Sequence, residues 1–224
     1  SKPRCDQAWM VRHGGVLGAD LRASFAPTAS ARLRLTAVGG RSRFDVPHGD
    51  VQEAAGQDQR QQVTQFAQTA AWQQLWGERV AGHMAGYHRR VDATLRDTPA
   101  ATPLFAASTR RHDRLGVLGS LSLAVGGHEL KVGAEAARLS LREAFLFGIT
   151  DDDAAEAAGL SDAAMAFTRD APFDFSGEVA RPQWSAYVQD RMHPWTNLTV
   201  DLGLRVDRTR LLVPASAWSP RVAL

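Results

Sequence analysis

Residues 184–208 read WSAYVQDRMHPWTNLTVDLGLRVDR. From Leu198 to Asp207, apolar residues alternate without a break with small, polar or charged residues. Because successive side chains of a β-strand point to opposite faces, this period of two predicts a strand with one apolar face. Residues 184–192 alternate in the same way, interrupted at Asp190, and the Pro-containing segment 193–197 predicts a tight turn. The stretch is therefore predicted to form a β-hairpin with one apolar and one polar face.

Such a hairpin fits either a soluble sandwich or an outer-membrane barrel, and the lengths of the connections distinguish the two. Tight turns, predicted from Gly, Pro, Asn and Ser, alternate along the chain with long polar connections. The tight turns are 27–30, 76–79, 125–127 and 193–197, and the long connections are 47–60, 96–109 and 145–181. Short turns at one end and long loops at the other are typical of outer-membrane barrels. We expect an all-β, antiparallel up-and-down transmembrane barrel that is partial, with roughly nine strands.

Composition excludes several classes of protein. The chain has 224 residues, and no run approaches the ~20 consecutive apolar residues of a membrane-spanning helix. The net charge of +2 and the scattered arginines give no basic face for nucleic acid, so no nucleic-acid partner is expected. The single cysteine, Cys5, excludes a disulfide within the chain and a cysteine-based metal site. Residues 1–9 lack the apolar core of a signal peptide, and we expect a truncated chain.

No catalytic motif of the GxSxG, HExxH, CxxC or P-loop type is present, so the chain is not expected to be an enzyme. His83 and His88 are five residues apart, which puts them on opposite faces of a strand and argues against a shared metal site. Residues 151–153 are three consecutive aspartates that could attract a cation, but a solvated acidic loop is the favoured interpretation. The Ala-rich segment that follows favours a short helix with an acidic first turn. No catalytic residue, metal or cofactor is predicted.

Three short segments resemble the barrel of TonB-dependent outer-membrane receptors. They are AYVQD at 186–190, LTVDLGLRVDR at 198–208 after the Pro-containing turn, and SPRVAL at 219–224. In that family the tract has the form AYVQDxW…P…LTLxxGLRYD…SPR. Met192 stands at the usual aromatic position and Val206 at the usual tyrosine, and both replacements are compatible with lipid. The resemblance is sharp over about 182–224 and diffuse elsewhere.

The resemblance implies that residues 1–224 are a partial receptor barrel without the plug domain, in the outer membrane of a Gram-negative bacterium. It implies energised uptake of a scarce ligand, such as a ferric siderophore or a cobalamin. The partners would be outer-membrane lipid, the ligand, and TonB acting through an N-terminal region missing from this chain. The long connections 47–60, 96–109 and 145–181 would face the ligand.

Pleat alternation also predicts which residues line the interior of such a barrel. The lumen-facing candidates are Lys131, Glu135, Tyr187, Gln189, Arg205 and Asp207. For each of them, the more frequent case is a side chain that faces this side only because of strand alternation and contacts no ligand. Aromatic residues near the tight turns, namely Phe25, Trp72, Trp76 and Trp195, suggest an interfacial girdle. Several strands exceed the ~9–11 residues that cross a bilayer, which suggests that they project beyond the outer leaflet.

Two alternatives remain open from the sequence, and an enzyme is a third choice that a cluster of His, Asp and Ser at the rim would favour. A plug-free porin or channel would show the same alternation of turns and loops. A soluble β-sandwich or β-solenoid binding module would instead pack the apolar stripes against each other. Dependence on detergent separates this soluble class from both barrel interpretations.

Overall fold

A computed structural model describes residues 14–47, 49–50, 54, 59–98, 101–210 and 214–223. These residues form nine strands and two short helices. The strands are β1 (Gly14–Thr28), β2 (Ala31–Asp45), β3 (Arg60–Trp76), β4 (Val80–Arg96), β5 (Leu104–Val125), β6 (His128–Ile149), β7 (Phe173–Trp195), β8 (Leu198–Thr209) and β9 (Ala215–Ala223). The helices are Asp152–Ala157 and Asp162–Met165, both in the connection between β6 and β7.

All nine strands belong to one antiparallel sheet, in which each strand pairs with its neighbours in the chain in the order β1 to β9. This confirms the predicted up-and-down all-β fold and its nine strands. The sheet is not closed, because β1 and β9 do not pair with each other among the described residues. In this part of the chain, no second sheet packs on the first, so the β-sandwich alternative is wrong. The helices in the described ranges are all too short to span a bilayer.

The pairing register defines two faces, because directly paired residues in neighbouring strands point to the same side. One row across the sheet contains Thr69, Tyr87, Gly116, Ala137, Gln183 and Thr209. The adjacent row on the opposite side contains Ala70, Gly86, Val117, Ala136, Trp184 and Arg208. We call the side of Tyr87 the polar face and the side of Trp184 the apolar face. The end of the sheet with tight turns is the turn side, and the end with long connections is the loop side.

Large apolar side chains are exposed on the apolar face from the turn side to about mid-strand, and we call this region the apolar band. In β5 it covers Leu115–Val125, a length that matches the roughly 9–11 residues with which a tilted strand crosses a bilayer. Leu115 and Val117 are 62% and 59% exposed. The described residues bury only a few, mostly small, apolar side chains. The apolar side chains therefore lack a protein core, and lipid is the solvent that suits them.

The turn side of the apolar band carries the predicted aromatic residues. Phe25, Trp76 and Trp195 are 63%, 54% and 70% exposed, and Trp72 lies on the apolar face between Leu33 and Met84. Asp190, which interrupts the alternation, lies on this face beside His128, whose Nδ1 is 2.9 Å from Asp190 Oδ2. The two polar groups thus partner each other within an apolar region. Asp190 Oδ1 is buried and has no hydrogen-bond partner among the described residues.

The strands extend further toward the loop side than the sequence predicted. Residues 104–109 belong to β5, residues 145–149 to β6 and residues 173–181 to β7, so the predicted connections 96–109 and 145–181 are too long. The predicted connection 47–60 lies mostly outside the described residues. In the same way, β9 begins at Ala215, four residues before the segment SPRVAL.

These loop-side segments lack a one-sided apolar pattern, which explains why alternation did not reveal them. Cross-strand ion pairs link neighbouring strands on both faces instead. On the polar face, Arg110 Nε lies 2.6 Å from Glu143 Oε1. On the apolar face, Arg142 Nη2 lies 2.7 Å from Glu178 Oε2. Polar side chains on both faces indicate that this half of the sheet meets water on both sides.

Candidate functional site: the polar face and its loop side

The six predicted lumen-facing residues all lie on the polar face. Lys131 pairs with Gln189 and Tyr187 pairs with Arg205, while Glu135 and Asp207 both pair with Ser185 between them. The register therefore places these residues together on β6, β7 and β8. That this face lines a barrel lumen stays a prediction.

Tyr87, Arg114 and Glu135 form a hydrogen-bonded cluster across β4, β5 and β6. Arg114 Nε donates to Tyr87 Oη over 3.0 Å, and Arg114 Nη2 donates to Glu135 Oε1 over 2.8 Å. The Tyr87 hydroxyl also donates to Glu135. The guanidinium carbon of Arg114 lies 5.7 Å from the centre of the Tyr87 ring, within range of a cation–π interaction. The cluster is half-buried, which favours one fixed arrangement of its charges.

Glycines on the neighbouring strands make room for the tyrosine rings of this face. Tyr87 pairs directly with Gly116, and a Cβ added at Gly116 would lie 2.5 Å from Tyr87 Oη. Tyr187 pairs with Gly133, where an added Cβ would lie 2.6 Å from the ring. Each ring thus lies flat over a glycine, so the polar face is filled by ring surface as well as by charge.

A second charged pair lies beside this cluster on β8. Arg205 makes a two-pronged contact with Asp207, with Nη2 and Nε 2.7 and 2.8 Å from its carboxylate oxygens. Ser185, buried between Glu135 and Asp207, is 7% exposed. A cavity of about 160 Å³ adjoins these residues. The geometry suits a few bound waters or a small polar group, held by both a cation and an anion.

Sequence reasoning missed Tyr87 and Arg114 as members of the polar-face cluster. Tyr87 lies an even number of residues from Ala81 and Ala85, a pattern that indicates a strand face of apolar residues rather than a polar cluster. The signal that could have identified it is Gly116, because a glycine opposite an aromatic residue is a frequent cross-strand pair.

The loop side of the polar face carries a cluster of phenylalanine rings. Phe147 and Phe173 pair across β6 and β7, with ring centres 5.3 Å apart. Phe167, from the connection 150–172, lies with its ring centre 5.5 Å from Phe147 and 5.2 Å from Phe173. Phe145 adjoins Phe147 at 5.7 Å. The rings hold the connection against the end of the sheet.

Hydrogen bonds fix the same connection to its surroundings. Ile149 N donates to Phe167 O over 2.7 Å, and Thr150 Oγ1 donates to Ala101 O over 2.7 Å. Ala101 lies in the preceding connection, so the two loop segments are tied together. The connection 150–172 is therefore a packed structure on the loop side.

The acidic run 151–153 caps a helix. Asp151 Oδ1 accepts from Ala154 N at 3.0 Å, and Asp152 and Asp153 occupy the first turn of the predicted helix. Carboxylates at this end interact favourably with the helix dipole. No group of three or more His, Cys, Asp or Glu residues that could hold a metal occurs in the described part of the chain.

The two histidines of β4 point to opposite faces, as predicted. His83 lies on the polar face opposite Ser120, and His88 lies on the apolar face opposite Leu115. His88 Nε2 is 3.0 Å from Asp113 Oδ1, and Arg90 Nε is 2.8 Å from the same oxygen. Burial raises the pKa of Asp113, but the hydrogen bonds from Arg90 and His88 outweigh it and hold the pKa below its usual value.

Comparison with known proteins gives one family and a consistent fold. The family model described as "TonB dependent receptor-like, beta-barrel" matches residues 12–224. The structure resembles the siderophore receptor PiuA from Acinetobacter baumannii, with a TM-score of 0.62 and 12% identity over 94% of this chain and 38% of that one. It also resembles the outer membrane transporter YddB from Escherichia coli, with a TM-score of 0.64 and 11% identity over 92% of this chain and 29% of that one.

A third similar structure is that of the ferric citrate transporter FecA in its unliganded form. Its TM-score is 0.63 and its identity 13%, over 94% of this chain and 32% of that one. The chain thus spans about a third of the length of these structures. At such identities the likeness concerns the fold alone. No curated protein matches the sequence significantly.

Proposed function

Since this chain belongs to the TonB-dependent receptor family of outer-membrane β-barrels, we propose that it forms part of the wall of a receptor for TonB-dependent uptake. Members of this family are outer-membrane proteins of Gram-negative bacteria, and they are transporters rather than enzymes.

The observation that carries the proposal is the separation of chemistry between the two faces. The apolar band on one face has the height of a bilayer core, and the other face carries fixed charges such as Arg114, Glu135 and Arg205. In a barrel, this combination places lipid outside and water inside. Lys131, Glu135, Tyr187, Gln189, Arg205 and Asp207 would then line the lumen.

The proposed cargo is a ferric siderophore or a cobalamin-like ligand. Two similar structures are named as a siderophore receptor and a ferric citrate transporter, which supports an iron chelate. The packed connection 150–172 and the adjoining phenylalanines would form part of the ligand-facing end, together with 47–60 and 96–103. Aromatic rings offer flat apolar surface for a chelate with aromatic or planar groups.

We further propose that the chain acts as one section of a larger barrel that contains a plug. Both edge strands, β1 and β9, would pair with further strands, because unpaired backbone groups are costly in lipid. The plug would contact the polar face, and TonB would drive its rearrangement through the proton-motive force.

The experiment that tests the function is uptake of radioactive iron by cells that carry or lack the gene for the full-length protein. Iron-limited cells with the gene should accumulate a ferric siderophore at least tenfold faster than cells without it. Removing TonB should abolish the difference. Equal uptake with and without TonB would contradict the energised mechanism and favour the porin alternative, which ion conductance in a planar bilayer would then detect.

A loop variant tests which end faces the ligand. Replacing residues 150–172 by a short Asn-Gly turn between Ile149 and Phe173 should abolish ligand capture and leave heat-modifiable migration on a detergent gel intact. The matched control is His193→Ala beside a tight turn, which should leave capture unchanged. Normal ligand capture by the loop variant would show that this connection is not part of the ligand-facing end.

A further inference from the structure

The carboxylate of Asp97 joins two connections on the loop side to the start of β5. Asp97 Oδ2 accepts from Gln59 Nε2 and from Ala106 N, both over 2.8 Å, and Asp97 Oδ1 accepts from Thr98 N over 2.9 Å. Gln59 ends the connection between β2 and β3, and Asp97 begins the connection between β4 and β5. One half-buried side chain thus holds groups from three segments of the chain.

An ionised carboxylate suits this position because three N–H donors converge on it. Ala106 lies beyond the last pair of the β4–β5 ladder, Leu95 with Ser108, so β4 gives its N–H no strand partner in the described part of the chain. A hydrogen bond to a charged acceptor is stronger than one between neutral groups. An asparagine at position 97 would keep the shape of the side chain but would present an NH₂ group to at least one donor.

The connection that Asp97 begins is in turn bound to the connection between β6 and β7. Pro103 O accepts from Thr150 N over 2.9 Å and from Asp151 N over 3.3 Å. Thr150 Oγ1 donates to Ala101 O over 2.7 Å, and Ala101 is only 2% exposed. Hydrogen bonds therefore lead from the β2–β3 connection through Asp97 to the β6–β7 connection.

Close packing at Gly148 reinforces the second of these links. A Cβ added at Gly148 would lie 2.5 Å from Thr168 O and 2.6 Å from Cε1 of Phe105. The guanidinium carbon of Arg169 lies 5.6 Å from the centre of the Phe105 ring, within range of a cation–π interaction. The start of β5, the end of β6 and the β6–β7 connection thus meet without room for another side chain, so a shift of one displaces the others.

We propose that Asp97 is a positioning residue that makes the β2–β3, β4–β5 and β6–β7 connections open as one unit. Opening one connection breaks hydrogen bonds that also hold its neighbour, so the free energy of opening is shared. The consequence for uptake rests on the proposed function: a cargo that contacts one of these connections would stabilise all three. The coupling itself is a property of the protein without cargo.

The test is hydrogen exchange of the full-length protein in lipid vesicles without cargo, read by mass spectrometry. The amides of 149–151 donate to Phe167 O and Pro103 O, so Asp97 can reach them only through the coupling. Asp97→Asn should raise their exchange rate about tenfold and leave the amides that pair β5 with β6 beside their tight turn unchanged. Unchanged exchange at 149–151, with any increase confined to Thr98 and Ala106, would overturn the proposal.

The matched control is Asp174→Asn, which removes the same charge from an exposed position near the loop-side end of β7. It should leave exchange at 149–151 unchanged. An equal increase in both variants would overturn the proposal, because it would reflect net charge alone.

A second variant approaches the unit from its other end and decides the matter if Asp97→Asn fails to fold. Thr150→Val keeps the shape of the side chain and removes the hydroxyl that donates to Ala101 O. Because coupling is reciprocal, this change should raise the exchange rate of the Thr98 and Ala106 amides, which Asp97 binds. Wild-type exchange there would overturn the proposal. Uptake plays no part in these measurements, so their failure would leave the proposed function standing.

Discussion

The turn-side and loop-side halves of β5, β6 and β7 share the same backbone pairing. Their side chains on the apolar face differ in chemistry. Both halves form a continuous antiparallel ladder without a register shift between β5 and β6 or between β6 and β7. On the turn side, the apolar face carries Leu115, Leu121 and Val132. On the loop side, the same face carries Asp113, Arg138 and Arg142.

The difference shows that hydrogen bonding holds the sheet together along its whole length, while the surrounding solvent selects the side chains. A strand needs an apolar face only where lipid touches it. Beyond that height, cross-strand ion pairs and the phenylalanine cluster supply the lateral contacts. Substitutions that exchange the chemistry of the two halves should therefore have very unequal costs.

The largest expected effect comes from placing a charge in the apolar band. Val132→Arg should destabilise the full-length protein by about 2–4 kcal/mol, because an arginine near the bilayer midplane has no polar partner. Ser140→Arg lies on the same face of the same strand, in the loop-side half opposite Asp113, and should change stability by less than about 0.5 kcal/mol. Urea unfolding in lipid vesicles measures both. Equal destabilisation by the two substitutions would contradict the difference between the two halves.

A smaller effect is expected for the glycines beneath the two tyrosines, of which Gly116 lies where the halves meet and Gly133 lies in the turn-side half. Gly116→Ala should cost about 1–3 kcal/mol, because the added Cβ displaces a Tyr87 ring that Arg114 and Glu135 hold in place. Gly133→Ala should cost less, since no side-chain hydrogen bond to Tyr187 is present among the described residues. The same unfolding assay measures both variants. A larger cost for Gly133→Ala than for Gly116→Ala would show that the polar cluster does not hold the Tyr87 ring in place.

The phenylalanine cluster should matter locally. Phe167→Ala removes two ring contacts and should raise the rate of proteolytic cleavage within 150–172 about tenfold, which corresponds to about 1.4 kcal/mol of local stability. Phe175→Ala is the matched control, because Phe175 lies on the same face but is 47% exposed. Comparable cleavage of the two variants would mean that hydrogen bonds alone secure the connection.

The smallest effect is expected for an ion pair of the loop-side half. Asp113→Asn should cost less than about 1 kcal/mol at pH 7, the usual range for exposed pairs. Since the pKa of Asp113 is lowered from 3.8 by folding, the carboxylate stabilises the fold above that pH. This stabilisation should decline as the pH falls below 3.8 and vanish once folded Asp113 is protonated. The free energy of unfolding of the wild type and the variant, measured between pH 7 and pH 2, tests this. A difference between the two proteins that grows as the pH falls would contradict the prediction.

The fold could be predicted because lipid imposes a period of two wherever it touches a strand. Leu198 to Asp207 shows this period over its whole length, and Leu115 to Val125 shows it except at Leu118 and Gly119. The tight turns between strands are marked by glycine, proline and asparagine. Gly126 and Gly127 adopt φ values of 55° and 85°, which favour glycine over other residues. Both strong signals lie in the turn-side half.

The loop-side half could not be predicted in the same way, because water on both faces removes the pattern. Residues 104–109 and 173–181 read as connections, although backbone pairing continues through them. Alternation alone puts the six polar-face residues on one face of their strands, and the register agrees, while their place in a lumen stays a prediction. Their partners Tyr87 and Arg114 were not, since the contacts that join them cross three strands and depend on register. Phe167 joins its cluster through the fold of a connection, which no periodicity encodes.

The sequential order of the strands also constrains the path by which the chain acquires its structure. Each strand in the described ranges pairs with the strand next to it in the chain, so no ladder must wait for a distant segment to arrive. The entropic cost of closing a connection grows with its length. The four hairpins with short connections, β1–β2, β3–β4, β5–β6 and β7–β8, should therefore form first, and the pairing of β6 with β7 should form later. Pulse-labelling hydrogen exchange should therefore find amides protected between β5 and β6 before those between β6 and β7.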